Sequence, residues 1–298
     1  MSFIQSKLSE KLSDRISTIF IYMLMIIIVL ICLYPVILVV SLSISDPVHV
    51  MARDVYFLPQ GFSIESYAYI MNQEQLWKGY ANTIFYTVVG TSINVVLTIL
   101  TAYALSRPKF VLKNPVMLFI SFTMFFGGGL IPSFIINTKL GLYNSRWAML
   151  LIGAISAYNV IVARTFLQNI PESLHESSII DGVGEFRIFT KIYLPLSMPI
   201  IAVLILYYAV GHWNSYFNAM IYLKDQDKQP VQLYLIRIVK ESDFGSMQFE
   251  NVEDTKKEMI ALQMKYSVIT VVMLPIILVY PFLQKYFVKG VMIGAIKQ

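Results

Sequence analysis

Six stretches of the chain are apolar for long enough to cross a membrane: about 18–45, 80–105, 115–135, 147–168, 198–223 and 266–284. A helix needs about 20 mostly apolar residues to span the hydrocarbon. At that depth every backbone N–H and C=O must be paired within its own segment. The pattern therefore predicts an all-α polytopic membrane protein, one domain over 1–298 with about six transmembrane helices. Ahead of the first stretch, residues 5–16 place Leu8, Leu12 and Ile16 on one face with Lys7, Lys11 and Arg15 beside them. That pattern predicts a short helix lying at the membrane interface. The first apolar run is too long for a signal-peptide core, and no small-residue cleavage site follows it, so it is expected to remain as a helix.

Composition agrees with the pattern. Apolar residues are 57% of the chain and charged residues 14%, against roughly 45–50% and 25% in a soluble domain. Basic residues fix the expected orientation. With the N-terminus in the cytoplasm, the inner segments carry twelve basic and six acidic residues, and the outer ones eleven basic and twelve acidic. N-in, C-in follows. The formal charge of +5 then reflects membrane topology rather than a nucleic-acid partner. Cys32 is alone, inside the first stretch, and forms no disulfide or metal framework.

The outer connections fall at about 46–79, 136–146 and 224–265. The last is too long to be a mere connector, and its apolar stretch Leu233–Val239 is expected to pack on the bundle or to receive a partner. Gly127, Gly128, Gly129 and Pro132 read as a helix break rather than a ligand loop, since no helix with a free N-terminus is evident after them. Pro275 predicts a kink in the sixth helix.

The inner segment 169–199, NIPESLHESSIIDGVGEFRIFTKIYLPLSMP, is the most informative. Pro171 suits a first helical turn, with Glu172 and Glu176 early in that helix. Gly182 is placed to end it in a left-handed conformation. A second short helix runs through Phe186, Phe189 and Ile192, and Pro195 and Pro199 close it. The expectation is a coupling loop at about 169–197, two short helices whose apolar sides rest on the bundle. Glu176, Ser177, Ser178 and Asp181 would face the cytoplasm, and His175 would be an exposed helix residue.

Glu176-Ser177-Ser178, Asp181-Gly182 and, ten residues on, Ile192-Tyr193-Leu194-Pro195 resemble the EAA loop of bacterial ATP-binding-cassette importers. Two serines stand where that pattern usually has alanine. From about residue 20 onward the chain resembles MalG-like permeases of type I carbohydrate importers, in the branch serving oligosaccharides and polysaccharide fragments. The supporting stretches are LYPVILVVSLSISDP, KLGLYNSRWAMLL, HWNSYFNAMIYL and QKYFVKGVMIGAIKQ. The resemblance implies a bacterial plasma-membrane complex with a second homologous permease, two ATPase subunits and an extracellular solute-binding protein. It implies that Glu176, Ser177, Ser178, Asp181, Gly182, Ile192, Leu194 and Pro195 dock on the ATPase. ATP and Mg would be held there, and no cofactor by this chain. The C-terminal tail after Tyr286 would reach toward the ATPase dimer.

Within the membrane, Trp213, Asn214, Tyr216 and Asn218, near Tyr207 and Tyr208, and Tyr158 and Asn159 have two readings. Aromatic platforms beside amides suit a sugar path; the same residues also serve as interface anchors and interhelical bonds. Arg164 reads as a cation at a cytoplasmic helix end, and His212 as a packing or hydrogen-bonding residue.

Two other function classes fare poorly. A gradient-driven transporter usually carries an intramembrane acid, and no Asp or Glu falls in any of the six stretches. A membrane-embedded enzyme needs a nucleophile and base, or clustered metal ligands, at bilayer depth, and the pattern offers neither. A Gly-x4-Gly-Lys-Ser/Thr loop is also absent, so ATP hydrolysis is expected in a separate subunit.

Overall fold

The computed structural model describes residues 12–245 and 252–295. Most of the expected interfacial helix at 5–16 lies outside those residues. All regular structure among the described residues is helical. They fall into two compact units, one from the chain up to Asn72 with Ile238–Val271, the other from Gln73–Arg237 with the chain from Val272 on.

The first unit holds α1 (Leu12–Ile44), α2 (Pro47–Ala52), α3 (Glu65–Met71) and the first part of α14 (Val252–Ala295). Asp46 caps α2, its side chain accepting the Val48 N–H at 2.9 Å, with Pro47 preset in the first turn. Serines tie this unit together. Ser43 Oγ lies 2.7 Å from Tyr67 Oη and Ser66 Oγ 2.7 Å from Ser267 Oγ. Gln263, fully buried, donates from Nε2 to the Ser45 carbonyl at 2.7 Å. Leu42, Val50 and Val55 pack with Leu262 and Tyr266. The apolar side chains of α1 from Ile19 to Leu33 are exposed.

The second unit is organised on α4 (Glu74–Ser106), the second predicted span, which carries one π turn at Tyr86–Gly90. It stops where Pro108 forces the preceding Arg107 into extended backbone, φ −72° and ψ 130°. The third apolar run is a bent pair rather than one helix: α5 (Lys113–Phe125) and α6 (Leu130–Lys139) meet at 118°. Gly129, at φ +81°, makes the corner. The break expected at Gly127–Gly129 is there, and a helix does follow it, which the sequence reading had not anticipated. The fourth run is also divided, into α7 (Arg146–Leu151) and α8 (Ala157–Gln168). Gly153, at φ +78°, lies in the break, and Ser156 caps α8 by accepting the Asn159 N–H.

Then come α9 (Ser173–Ile180), α10 (Glu185–Leu196, with a π turn at Phe189–Tyr193), α11 (Met198–Trp213), α12 (Phe217–Tyr222) and α13 (Val231–Gly245). α10 and α11 are bent by 77° at their junction. Among the described residues three helices are long and apolar enough to cross a membrane, five if each bent pair is one span. The last of them covers Met259–Val279, so the sixth span begins earlier than the run at 266–284. Pro275 and Pro281 lie inside α14 without ending it.

The core of this unit joins α4, α8, α10 and α11 through Ile99, Ala102, Ala163, Leu167, Ile188, Tyr193, Leu204 and Tyr208. Burying each such large apolar side chain stabilises the unit by about 1.5–3 kcal/mol where water is the alternative. Tyr208 also carries polar ties: its hydroxyl lies 2.7 Å from Thr98 Oγ1 and accepts the Ser156 N–H at 3.2 Å. Part of the long connection after α12 is bound rather than free. Asn82 donates to the Asp227 and Gln229 carbonyls, Tyr86 Oη to that of Lys228, and Thr83 Oγ1 accepts the Val231 N–H. The apolar stretch expected to pack lies in α13, with Leu233 and Tyr234 buried.

Candidate functional site

The loop between α8 and α11 forms two short helices joined by a turn, as its residues predict. α9 ends in a left-handed Gly182, φ +74°. Gly182 N–H bonds the Ile179 carbonyl and Val183 N–H bonds the Ser178 carbonyl, each at 2.9 Å. This is a Schellman closure, which satisfies two carbonyls that the helix end leaves free. An added Cβ on Gly182 would meet nothing within 4 Å. Conformation, not crowding, is what requires glycine there.

The residues singled out by the motif divide by face. Glu176, Ser177, Asp181 and Pro195 are exposed, and Ile192 and Leu194 are half-buried against the core of the second unit. Ser178 is buried, contrary to expectation, with its hydroxyl donating to the Leu174 carbonyl at 2.7 Å. A small side chain suits so buried a position, in keeping with serine standing where the EAA pattern has alanine. Ser177, Ser178, Ile192 and Pro195, distant along the chain, line one groove with Leu174 and Lys191. Around it the loop exposes apolar side chains: Ile180 is 85% exposed and Phe186 77%. Phe186 was expected on the buried side of the second helix but is exposed; Ile188 and Tyr193, five residues apart across the π turn, are buried, with Phe189 and Ile192 packed beside them.

His175 is not exposed. It is 4% exposed, with Nε2 3.0 Å from Glu185 Oε1 and Nδ1 3.5 Å from Glu172 Oε1. Tyr103 Oη donates to Glu185 Oε2 at 3.1 Å, and Arg107 Nη1 donates to Tyr193 Oη at 2.6 Å and to Glu172 Oε2 at 3.4 Å. The Arg107 guanidinium also lies over the Tyr193 ring, 4.2 Å from its centroid. Both short helices are thus pinned to the end of α4 by charge-assisted bonds. Sequence reasoning missed this cluster. Its signals were a histidine three residues after Glu172 on a short helix, and an arginine at the exit of a span just before a proline. Arg164 donates from Nε to the Leu105 carbonyl at the C-terminal end of α4.

The aromatic and amide residues proposed for a sugar path are not brought to one place. Tyr158, Asn214 and Tyr216 are exposed, Asn159 is buried, and Asn218 and Trp213 are half-buried. Trp213 lines a cleft with Thr87, Leu206, Ala209, Val210 and Ile276, and none of the other five does. His212 is a hydrogen-bonding residue, Nε2 lying 3.1 Å from Asn94 Nδ2.

A bundle of apolar helices, two of them bent pairs, with a clamped helix-turn-helix between α8 and α11, defines a membrane transport subunit. The chain belongs to the family of binding-protein-dependent transport system inner membrane components, whose sequence profile matches residues 94–293. It is 40% identical over 288 residues to the polygalacturonan/rhamnogalacturonan transport system permease YtcP of Bacillus subtilis, covering 96% of this chain and all of that one. It is 34% identical to LplC of the same organism, over 90% of each chain. Its fold matches a chain from the crystal structure of a bacterial ABC transporter involved in import of the acidic polysaccharide alginate. The TM-score is 0.84 at 34% identity, over 94% of this chain and 99% of that one. The chain is therefore a multi-pass permease component of a sugar-importer family in the cell membrane, and the resemblance read from its inner loop holds.

Proposed function

We propose that this permease is one of two homologous halves of an ATP-driven importer and carries an oligosaccharide or polysaccharide fragment delivered by an extracellular binding protein. Relatives named for polygalacturonan/rhamnogalacturonan and alginate import support that substrate class. The α9–α10 loop is on the cytoplasmic side in this reading, with N-terminus and C-terminus inside. It docks into a separate ATPase subunit that holds ATP and Mg, two such subunits per complex. The observation that carries the proposal is the groove where Ser177 and Ser178 meet Ile192 and Pro195, in a loop that also exposes Ile179, Ile180 and Phe186. Exposed apolar side chains clustered outside the spans mark a surface that a protein partner covers. The pins to α4 make the loop rigid, so movement of the docked helix is passed into the longest element of the second unit.

Reconstitution tests this. The complex, copurified through this chain and placed in proteoliposomes, is expected to take up oligogalacturonides or alginate oligomers only with ATP and binding protein present. Uptake that persists without ATP and collapses with a protonophore would point to gradient coupling instead.

A further inference from the structure

One face of α4 is polar through the middle of a membrane span. Thr83, Thr87, Thr91, Asn94 and Thr98 recur at three- and four-residue spacing, which puts them on one side of a helix. Facing them on α11 are Tyr208, His212 and Trp213. Threonines and asparagines that merely glue helices together are hydrogen-bonded, and the two ends of this stripe are. Thr83 Oγ1 accepts the Val231 N–H at 2.9 Å, and Thr98 Oγ1 pairs with Tyr208 Oη at 2.7 Å.

The middle differs. Thr87 Oγ1, Thr91 Oγ1, Asn94 Oδ1 and Trp213 Nε1 are buried with no hydrogen-bond partner. Asn94 is 3% exposed and Thr91 7%. A helical threonine or serine ordinarily relieves itself by bonding the carbonyl four residues back, as the adjacent Ser92 does to Val88 at 2.8 Å. Thr87 and Thr91, in and beside the π turn, do not. An orphaned polar group in such surroundings is costly, and four in one seam call for a ligand. The four atoms are two hydroxyls, a carbonyl oxygen and an N–H, a mixture of donors and acceptors that matches hydroxyl groups rather than a cation or an anion. A cleft of ≈ 200 Å³ reaches this seam between Thr87 and Trp213, its other walls apolar. Few polar groups on apolar walls, one of them an indole, is the make-up of a small-molecule site.

Resting on the reading that the chain carries a sugar, we propose that Thr87, Thr91, Asn94 and Trp213 form a hydroxyl-binding site of the transport path, covered in this conformation and uncovered when α11 shifts against α4. Gly90 lets the His212 ring come close to α4, since an added Cβ there would lie 2.5 Å from the imidazole. Hydroxyls of sugar and of water share this chemistry, so the test must tell them apart.

The test uses the reconstituted complex in a Cys32→Ala background, with Thr91→Cys as a reporter and a hydrophilic methanethiosulfonate as the probe. Labelling is expected to differ between the nucleotide-free and vanadate-trapped complexes, and to slow when oligogalacturonide-loaded binding protein is supplied. In parallel, Thr87→Val and Thr91→Val keep shape and remove one hydroxyl each, and Trp213→Phe removes the indole N–H together with part of the ring. Each is expected to raise KM for uptake about three- to tenfold, the worth of one hydrogen bond, with membrane abundance and ATPase binding unchanged. Labelling without sugar protection, together with unaltered KM in the three variants, would mean water alone and would overturn the proposal. No labelling in either state would overturn it too. If the wild-type complex imports none of the sugars offered, the substrate reading fails, while state-dependent labelling still reports the opening of the seam.

Discussion

His175 and Glu185 sit on opposite sides of the Gly182 turn, and their side chains meet at 3.0 Å with the imidazole almost completely buried. The turn is closed twice, once by backbone and once by this pair. Since Glu185 also accepts from Tyr103, the pair connects the loop to α4. His175→Ala removes the buried imidazole from the exposed Glu185 carboxylate, which water and Tyr103 can still satisfy, a loss of about 1 kcal/mol. The expected outcome is a complex that assembles and hydrolyses ATP but imports several-fold less sugar per ATP. Tyr103→Phe, which removes one bond to a carboxylate that keeps its other partner, should cost less. A His175→Ala complex with wild-type sugar-to-ATP ratio would show that the pair is only local packing.

Gly182→Val forces a β-branched residue into the left-handed region, at about 1–2 kcal/mol or more. Nothing contacts the position, so the span helices should insert normally and the effect should stay in the turn. Membrane abundance is expected at wild-type level and ATPase copurification reduced. Glu176→Lys reverses an exposed charge on the same proposed docking face and should give the same pattern. Quantitative immunoblots of membranes and of the purified complex check both variants together.

Orientation is tested with single cysteines in the Cys32→Ala background. Asn114 and Ser177, both exposed, should react only with membrane-permeant reagents in intact cells. Gln226, exposed in the connection after α12, should react with an impermeant one. Labelling of Ser177 from outside would reverse the topology and remove the ATPase from reach of the loop.

The connection after α12 offers a pH test. Hydrogen bonds from Lys228 and then Asn144 hold the Asp225 carboxyl below its ordinary value of 3.8. A depressed folded value means the contribution is fully present above the unfolded value and is lost as pH falls through the lower folded one. Backbone exchange over residues 225–231 should therefore follow only intrinsic chemistry from about pH 8 to pH 5, and opening should rise only in stronger acid. Asp225→Asn should loosen the segment by a similar amount at every pH.

The apolar runs announced the helices but not their breaks. Six runs were visible because lipid demands length and an almost uniform side-chain type. The break at Gly127–Gly129 was legible from its glycines and Pro132, whereas the one at Gly153 turns on a backbone angle that hydropathy does not encode, so the fourth run read as a single helix. In the loop, Gly182 was legible because the left-handed position has few tenants. Ser178 and His175 were not, since polar residues on short helices read as exposed and their burial depends on what α4 brings underneath. Arg107 and Tyr103 belong to another span altogether. The polar stripe of α4 has a clear helical period, and it passes unnoticed when the run is scored only for its average.

The convergence of Ser177, Ser178, Ile192 and Pro195 on one groove has a consequence for how this segment can change over time. The intervening Phe186 and Arg187 are exposed, so Arg187 is free to drift and Phe186 need only stay apolar. Their number is fixed. Deleting either would rotate everything after it by about 100° around the helix, turning Ile188 and Tyr193 out of the core and Ile192 away from the serines. The stretch between Gly182 and Ile192 works as a ruler, tolerant of spelling and intolerant of miscounting.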